Sequence, residues 1–274
     1  MRLLYLFGSI IIIPFLPFLY LQGKRVRART PVLPEANGCT GSVRLEGDRE
    51  FRIIFLGESS IAGVGVNHHD EGFAGAFAKE LAAKMNTTVH WEVYAKSGYT
   101  LKKVTESIVP MISDQKVDLI VVGLGANDAF TLNNPWSWQK QSEKLVSDLR
   151  SKFEDVPIVF GNMPPIKDFP AFPLLMRVFI GNLVDILGNE LLTTASKFDG
   201  VHYSDAKMRV KDWKAKFKVE DGAFFSDGVH PSKLTYELWA SELSAFVWEI
   251  EALRKKLWNR DMSGVPSSNG RSTL

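Results

Sequence analysis

The sequence predicts an α/β protein, a parallel sheet covered by helices on both faces, preceded by an apolar helix long enough for a membrane. Short apolar or alternating runs at 51–57, 88–94, 118–124 and 157–161 are too brief for helices and read as strands. Between them lie stretches whose apolar residues recur every third or fourth position, the spacing of an amphipathic helix. The run at 118–124 (DLIVVGL) is continuously apolar, as expected of a strand buried on both sides. Strands alternating with helices in this way predict parallel βα units.

Composition bounds the possibilities. The chain has 274 residues, 45% hydrophobic and 23% charged, which suits one globular domain with appendages. Its 33 basic and 31 acidic residues leave a net charge of +2, and no basic stripe interleaved with aromatics suits a nucleic acid. The single cysteine, Cys39, cannot pair internally and rules out a cysteine-rich zinc site.

In chain order, residues 3–23 are uncharged and rich in Leu, Ile, Phe and Tyr. Twenty helical residues span about 30 Å, one bilayer core. Pro14 and Pro17 kink such a helix without forbidding it. A cleaved signal peptide is the rival reading. No small-x-small cleavage pattern follows, and Lys24, Arg25, Arg27 and Arg29 come directly after the apolar run, so a retained anchor over 1–23 is favoured. These basic residues put the following domain in the cytoplasm by the positive-inside rule, with the periplasm of a bacterial cell as the alternative.

Residues 24–49, with Pro31, Pro34, Gly38, Gly41 and Gly47, read as a linker. After the first strand a helix is expected near 71–85, where Phe73, Phe77 and Leu81 share a face, then the second strand and a helix near 101–113 carrying Leu101, Val104, Ile108 and Ile112. The third strand, a helix over 136–152, the fourth strand, a helix over 174–196 and a short strand at 200–203 follow. A last helix runs from Ser232 to about Trp258, with Trp239, Leu243, Phe246 and Ile250 on one face and basic residues at its end. One catalytic domain over 50–258 results, followed by a Ser/Gly/Asn-rich tail over 259–274, where fraying is expected.

The chemistry sits at the strand ends. Acyl transfer needs a nucleophile, a base, an orienter for the base and donors for an oxyanion. Ser59 follows the first strand in Gly57-Glu58-Ser59-Ser60. Ser97-Gly98 follows the second, where glycine lets a backbone N–H approach a substrate. Gly125-Ala126-Asn127-Asp128 follows the third, and Asp227-Gly228-Val229-His230 precedes the last helix. In open α/β sheets these segments converge on the carboxyl edge.

Together these four blocks, in this order and over about residues 51–250, resemble the SGNH (GDSL-type) hydrolase family. The resemblance implies a flavodoxin-like three-layer α/β/α sandwich and a serine esterase that needs no metal or organic cofactor. It implies that Ser59 attacks the acyl carbonyl, that His230 takes and returns the proton, and that Asp227 orients His230. It also implies an oxyanion hole formed by the Ser59 and Gly98 backbone N–H groups and the Asn127 side chain. Glu58 departs from the family pattern, which has aspartate there, and this bears on the geometry of the serine turn.

Other features have plainer readings. Asp128, Ser60 and Ser97 are structural or turn residues. His68 and His69 form a solvated loop rather than a metal pair, since no further ligands stand at matched spacing. The apolar, proline-broken stretch 163–179 is either a loop packed on the core or an acyl-binding wall with Phe169, Phe172, Leu174 and Leu175 as contacts. Trp136 and Trp138 pack a helix face. The expected substrate is a small acyl ester or lipid, with short to medium acyl chains. Lysophospholipid, thioester and acetylated-carbohydrate hydrolysis remain alternatives, as do acyl transfer to an alcohol and a non-catalytic membrane-tethered scaffold.

Overall fold

The computed structural model describes residues 2–45, 50–251 and 253–255. Six strands form one sheet: β1 (Thr40–Val43), β2 (Glu50–Gly57), β3 (Thr88–Ala95), β4 (Leu119–Gly123), β5 (Ile158–Phe160) and β6 (Val201–Tyr203), in the order β1-β3-β2-β4-β5-β6. Strands β2 to β6 are parallel, and their order is that of a flavodoxin-like sheet. The edge strand β1 is antiparallel to β3, with Thr40 opposite Glu92 and Val43 opposite Val89.

Alternation along the strands builds two cores. Ile54 and Leu56 of β2, with Ile120, Val122, Ile158 and Phe160, face one side. There they meet α4 (Leu101–Ser107), α6 (Pro135–Phe153), α7 (Leu174–Ala195) and α8 (Val210–Phe217). Ile53, Phe55, Leu119, Val121 and Val159 face the other, against α3 (Phe73–Met85) and α9 (Lys233–Glu249). The Phe73 and Trp239 rings, 4.0 Å apart between centroids, join α3 to α9. Burying each such side chain contributes roughly 1.5–3 kcal/mol, which is why both faces of β2 and β4 read as unbroken apolar runs.

Caps mark the helix ends. Thr100 accepts from Lys103 N–H to open α4, and Asn134 accepts from Ser137 N–H to open α6, with Pro135 in its first turn. Left-handed Asn86, at φ 49°, closes α3.

The structure departs from the sequence reading in four places. The supposed linker contributes β1, whose residues are only exposed or half-buried, so no apolar pattern advertised a strand. Gly41 is needed there, since a Cβ would collide with the Trp91 ring. The helix expected over 101–113 stops at Ser107, and Pro110 lies in a separate 3-10 turn, Val109–Met111. Helix α8 is an addition, and only its Val210 and Trp213 are buried. Helix α9 ends at Glu249, where Ile250 turns extended, and Leu253 beyond it is buried. The expected end of that helix at Trp258 and the tail over 259–274 lie outside the described residues.

At the N-terminus, α1 (Arg2–Ile12) and α2 (Leu16–Arg29) are joined by a 3-10 turn holding Pro14. The stretch Tyr5–Arg29 is long and apolar enough to cross a bilayer, a property shared by signal sequences. The pair packs along α7 through Arg2–Glu190 at 2.7 Å and Phe15–Phe179 at 6.1 Å, while Phe7, Ile10 and Ile11 stay exposed.

Candidate active site

Strand β2 ends in Gly57, where a Cβ would collide with the Gly123 carbonyl and Ile61. Glu58 N–H donates to the Gly123 carbonyl at 3.2 Å, and the Glu58 carbonyl accepts from Ile61 and Ala62, so the chain turns at once and leaves Ser59 half-exposed at the carboxyl edge.

Asp227 and His230 stand on one tight turn. Oδ2 of Asp227 lies 2.7 Å from His230 Nδ1, and Oδ1 accepts from the N–H groups of Val229 at 2.9 Å and His230 at 2.8 Å. The Asp227 side chain is fully buried. Burial pushes its carboxyl up, but the His230 ring and the backbone donors outweigh this and hold it below the usual carboxylate range. With Nδ1 hydrogen-bonded to the carboxylate, Nε2 is the ring nitrogen left for proton transfer. Gly228, at φ +85°, makes the turn possible.

The serine turn and the histidine turn close on each other. Tyr236 Oη donates to the Val64 carbonyl at 2.7 Å, Val64 N–H donates to the Ser59 carbonyl at 3.0 Å, and a Cβ on Gly65 would strike the Pro231 carbonyl. Among the described residues no hydrogen bond joins the Ser59 hydroxyl to the His230 ring. Such bonds commonly tighten only when substrate is bound.

Donors gather on the same edge. Asn127 Nδ2 gives one hydrogen to the Tyr99 carbonyl at 3.1 Å, and the amide carries a second. Gly98 sits at φ +81° with nothing within 4 Å of where a Cβ would be, so its backbone faces open space. Among the described residues neither the Ser59 nor the Gly98 N–H is spent on an internal hydrogen bond.

Three carboxylates hold this edge together. Glu58, buried, accepts from the N–H groups of Ala126 at 2.7 Å and Asn127 at 3.0 Å, and so fixes α5 (Ala126–Phe130), which carries Asn127. Burial pushes the Glu58 carboxyl up to about 7; the two donors oppose the shift and nearby Asp128 adds to it. Asp128, fully buried, accepts from Leu101 N–H at 2.8 Å and Asn133 Nδ2 at 2.9 Å, tying the asparagine block to the start of α4. Burial raises its carboxyl as well, against these hydrogen bonds. Glu35 accepts from Ser97 N–H at 2.7 Å and pairs with Lys96 at 3.0 Å. The sequence signal for Glu58 was its place one residue before the serine; Glu35 sat in a stretch read as linker and gave none.

The remaining candidates are scattered. Phe169 and Phe172 are buried and stack in a row with Phe130 and Phe225, at centroid separations of 5.4–5.6 Å. Leu175 is half-buried, and Leu174 is 72% exposed, a rim position rather than a wall. Trp138 is in the core, donating to the Leu187 carbonyl at 2.9 Å, while Trp136 meets Tyr5. His68 is exposed as expected, but His69 is buried beside Trp91 because the chain entering β1 covers it. No metal-binding group of His, Cys, Asp and Glu occurs among the described residues. A cavity of about 370 Å³ lined by Lys167, Asp185, Tyr203 and Lys207 lies apart from Ser59, Asp227 and His230.

A doubly covered, flavodoxin-ordered sheet with these groups at its carboxyl edge defines an α/β/α hydrolase of the esterase and lipase type. The chain belongs to the GDSL-like Lipase/Acylhydrolase family, whose profile matches residues 55–238. The fold is similar to that of the lipase Lip_vut3 from a goat rumen metagenome, at 20% identity and TM-score 0.53, covering 71% of this chain and 96% of that one. It is also similar to a family 3 carbohydrate esterase of Clostridium thermocellum, at 15% identity and TM-score 0.53, covering 76% and 98%. A lipolytic protein of the G-D-S-L family from Veillonella parvula, at 16% identity and TM-score 0.53, covers 74% and 98%. A search of curated protein sequences found no match.

Proposed function

We propose that the protein is a serine esterase that hydrolyses carboxylic esters with short to medium acyl chains. The observation that carries this reading is the Asp227–His230 couple, 2.7 Å apart, on the edge where Ser59 and two unspent N–H groups lie. Ser59 Oγ attacks the acyl carbonyl while His230 Nε2 takes its proton. The carbonyl oxygen becomes an oxyanion held by the Ser59 and Gly98 N–H groups and Asn127 Nδ2. Collapse of the tetrahedral adduct breaks the ester C–O bond, and His230 returns the proton to the departing alcohol. A water molecule, deprotonated by the same Nε2, then attacks the acyl-serine, releasing the acid and restoring Ser59. Asp227 remains ionised throughout and stabilises the imidazolium.

In this proposal the apolar N-terminal helix is a retained single-pass anchor; the basic residues after it favour a cytoplasmic domain, with the periplasm as the alternative. Lysophospholipid, thioester or acetylated-carbohydrate hydrolysis would use the same residues. The test is hydrolysis of p-nitrophenyl esters, acetate to palmitate, by the full-length protein in detergent, with Ser59→Ala in parallel. Activity that vanishes in the variant supports the assignment. A folded protein inert on every chain length, and unlabelled by a fluorophosphonate, overturns it in favour of a scaffold.

A further inference from the structure

The chain between the apolar helix and the domain is short, and it is attached to the domain beside the active site. Helix α2 ends at Arg29, and Glu35 is already bound to Ser97 N–H at 2.7 Å and to Lys96 at 3.0 Å. The next residues continue the attachment: Ala36 N–H donates to the Ala62 carbonyl at 2.9 Å and Asn37 N–H to the Asn67 carbonyl at 3.0 Å. Ala62 is three residues from Ser59, and Ser97 is next to Gly98. Residues 24–29 continue the helix for about 9 Å beyond the apolar run, and the extended residues 30–34 add at most about 20 Å before the chain is attached to the domain.

The surface at this edge matches that placement. Lys24, Arg25, Arg27 and Arg29 lie in the last turns of α2, suited to anionic lipid headgroups. Four apolar side chains at the end of α5 and in the first turns of α7 stand exposed: Phe130 at 36%, Leu132 at 49%, Leu174 at 72% and Val178 at 42%. Leu132 is held at φ +54°, a backbone region that a leucine rarely occupies. From exposed Phe130 the stacked rings of Phe172, Phe169 and Phe225 lead inward to the turn carrying Asp227.

We infer that this rim docks on an anionic bilayer and that the site draws its substrate, an amphiphilic acyl ester, from the membrane rather than from bulk water. The inference rests on the anchor and esterase readings proposed above. It is tested with the full-length protein in vesicles of phosphatidylcholine and phosphatidylglycerol that carry p-nitrophenyl decanoate, with dissolved p-nitrophenyl acetate as the soluble comparison. Inserting a flexible Gly/Ser segment of about 20 residues between Val32 and Leu33 lowers the effective concentration of bilayer substrate. It is expected to cut decanoate hydrolysis about tenfold and leave acetate hydrolysis within about twofold. Separately, Leu174→Cys in a Cys39→Ser background, labelled with an environment-sensitive dye, is expected to report an apolar surrounding when vesicles are added. Unchanged decanoate hydrolysis after the insertion, or a dye that stays in water, overturns the inference. A protein inert on both esters whose dye still enters the bilayer supports docking and counts against the esterase reading alone.

Discussion

The carboxylate of Glu58 holds the backbone N–H of Asn127 at 3.0 Å, so the residue before the serine positions the residue proposed to bind the oxyanion. Replacing Glu58 with alanine orphans that N–H and the one on Ala126, at a cost of about 1–3 kcal/mol. Glu58→Ala is therefore expected to lower the urea midpoint and to reduce kcat more than it changes KM. Because burial raises this carboxyl from 4.5 to about 7, its stabilising contribution is present below pH 4.5 and lost as pH rises through about 7. Denaturation midpoints followed from pH 4.5 to 8 are expected to fall in the wild type relative to Glu58→Gln. Parallel curves would refute that role.

Asp227 works in the opposite sense. Burial raises its carboxyl, yet hydrogen bonds from His230 and the backbone hold it low. Its contribution to stability is thus present above the ordinary carboxylate value and lost as pH falls through its lowered one. Asp227→Asn is expected to fold, to lose about 10³–10⁴ in kcat, and to unfold in acid less steeply. Steady-state kinetics and acid titration by circular dichroism check both.

Asn127→Ala removes a side-chain donor without touching the Asp227–His230 pair. A loss of about 10²–10³ in kcat with KM nearly constant is expected if Nδ2 binds the oxyanion. An unchanged kcat would assign Asn127 to the Tyr99 contact alone.

His69 is buried, and burial, with neighbouring His68 adding to it, lowers its imidazole to about 4. The unfolded chain binds its proton near the ordinary 6.5, so stability is expected to decline as pH falls from about 6.5 to 4. His69→Phe should flatten that decline in thermal melts.

The legible parts of the molecule were those written in short stretches of chain. Ile53 to Leu56 and the run at 118–124 announced themselves because both faces of their strands are buried. The Ser59, Gly98, Asn127 and Asp227–His230 blocks were legible because each is a local turn at the end of such an element. Long-range partnerships were not. Glu35 reaches across 62 residues to Ser97, and Glu58 across 69 to Asn127, through polar contacts that leave no periodic trace. Strand β1 and helix α8 were hidden for a related reason, since so little of either is buried.

Strand β1 has a consequence for the fate of the protein outside its usual setting. By pairing with β3 it covers the backbone donors and acceptors of what would otherwise be a long, flat, self-adhesive border of the sheet. A protease cutting within 30–34 would leave both the Glu35 contacts and β1 in place. Cutting a few residues later, between Glu35 and Thr40, would keep the chemistry on the sheet yet loosen its border strand, and the shed fragment would be prone to clump with its own kind.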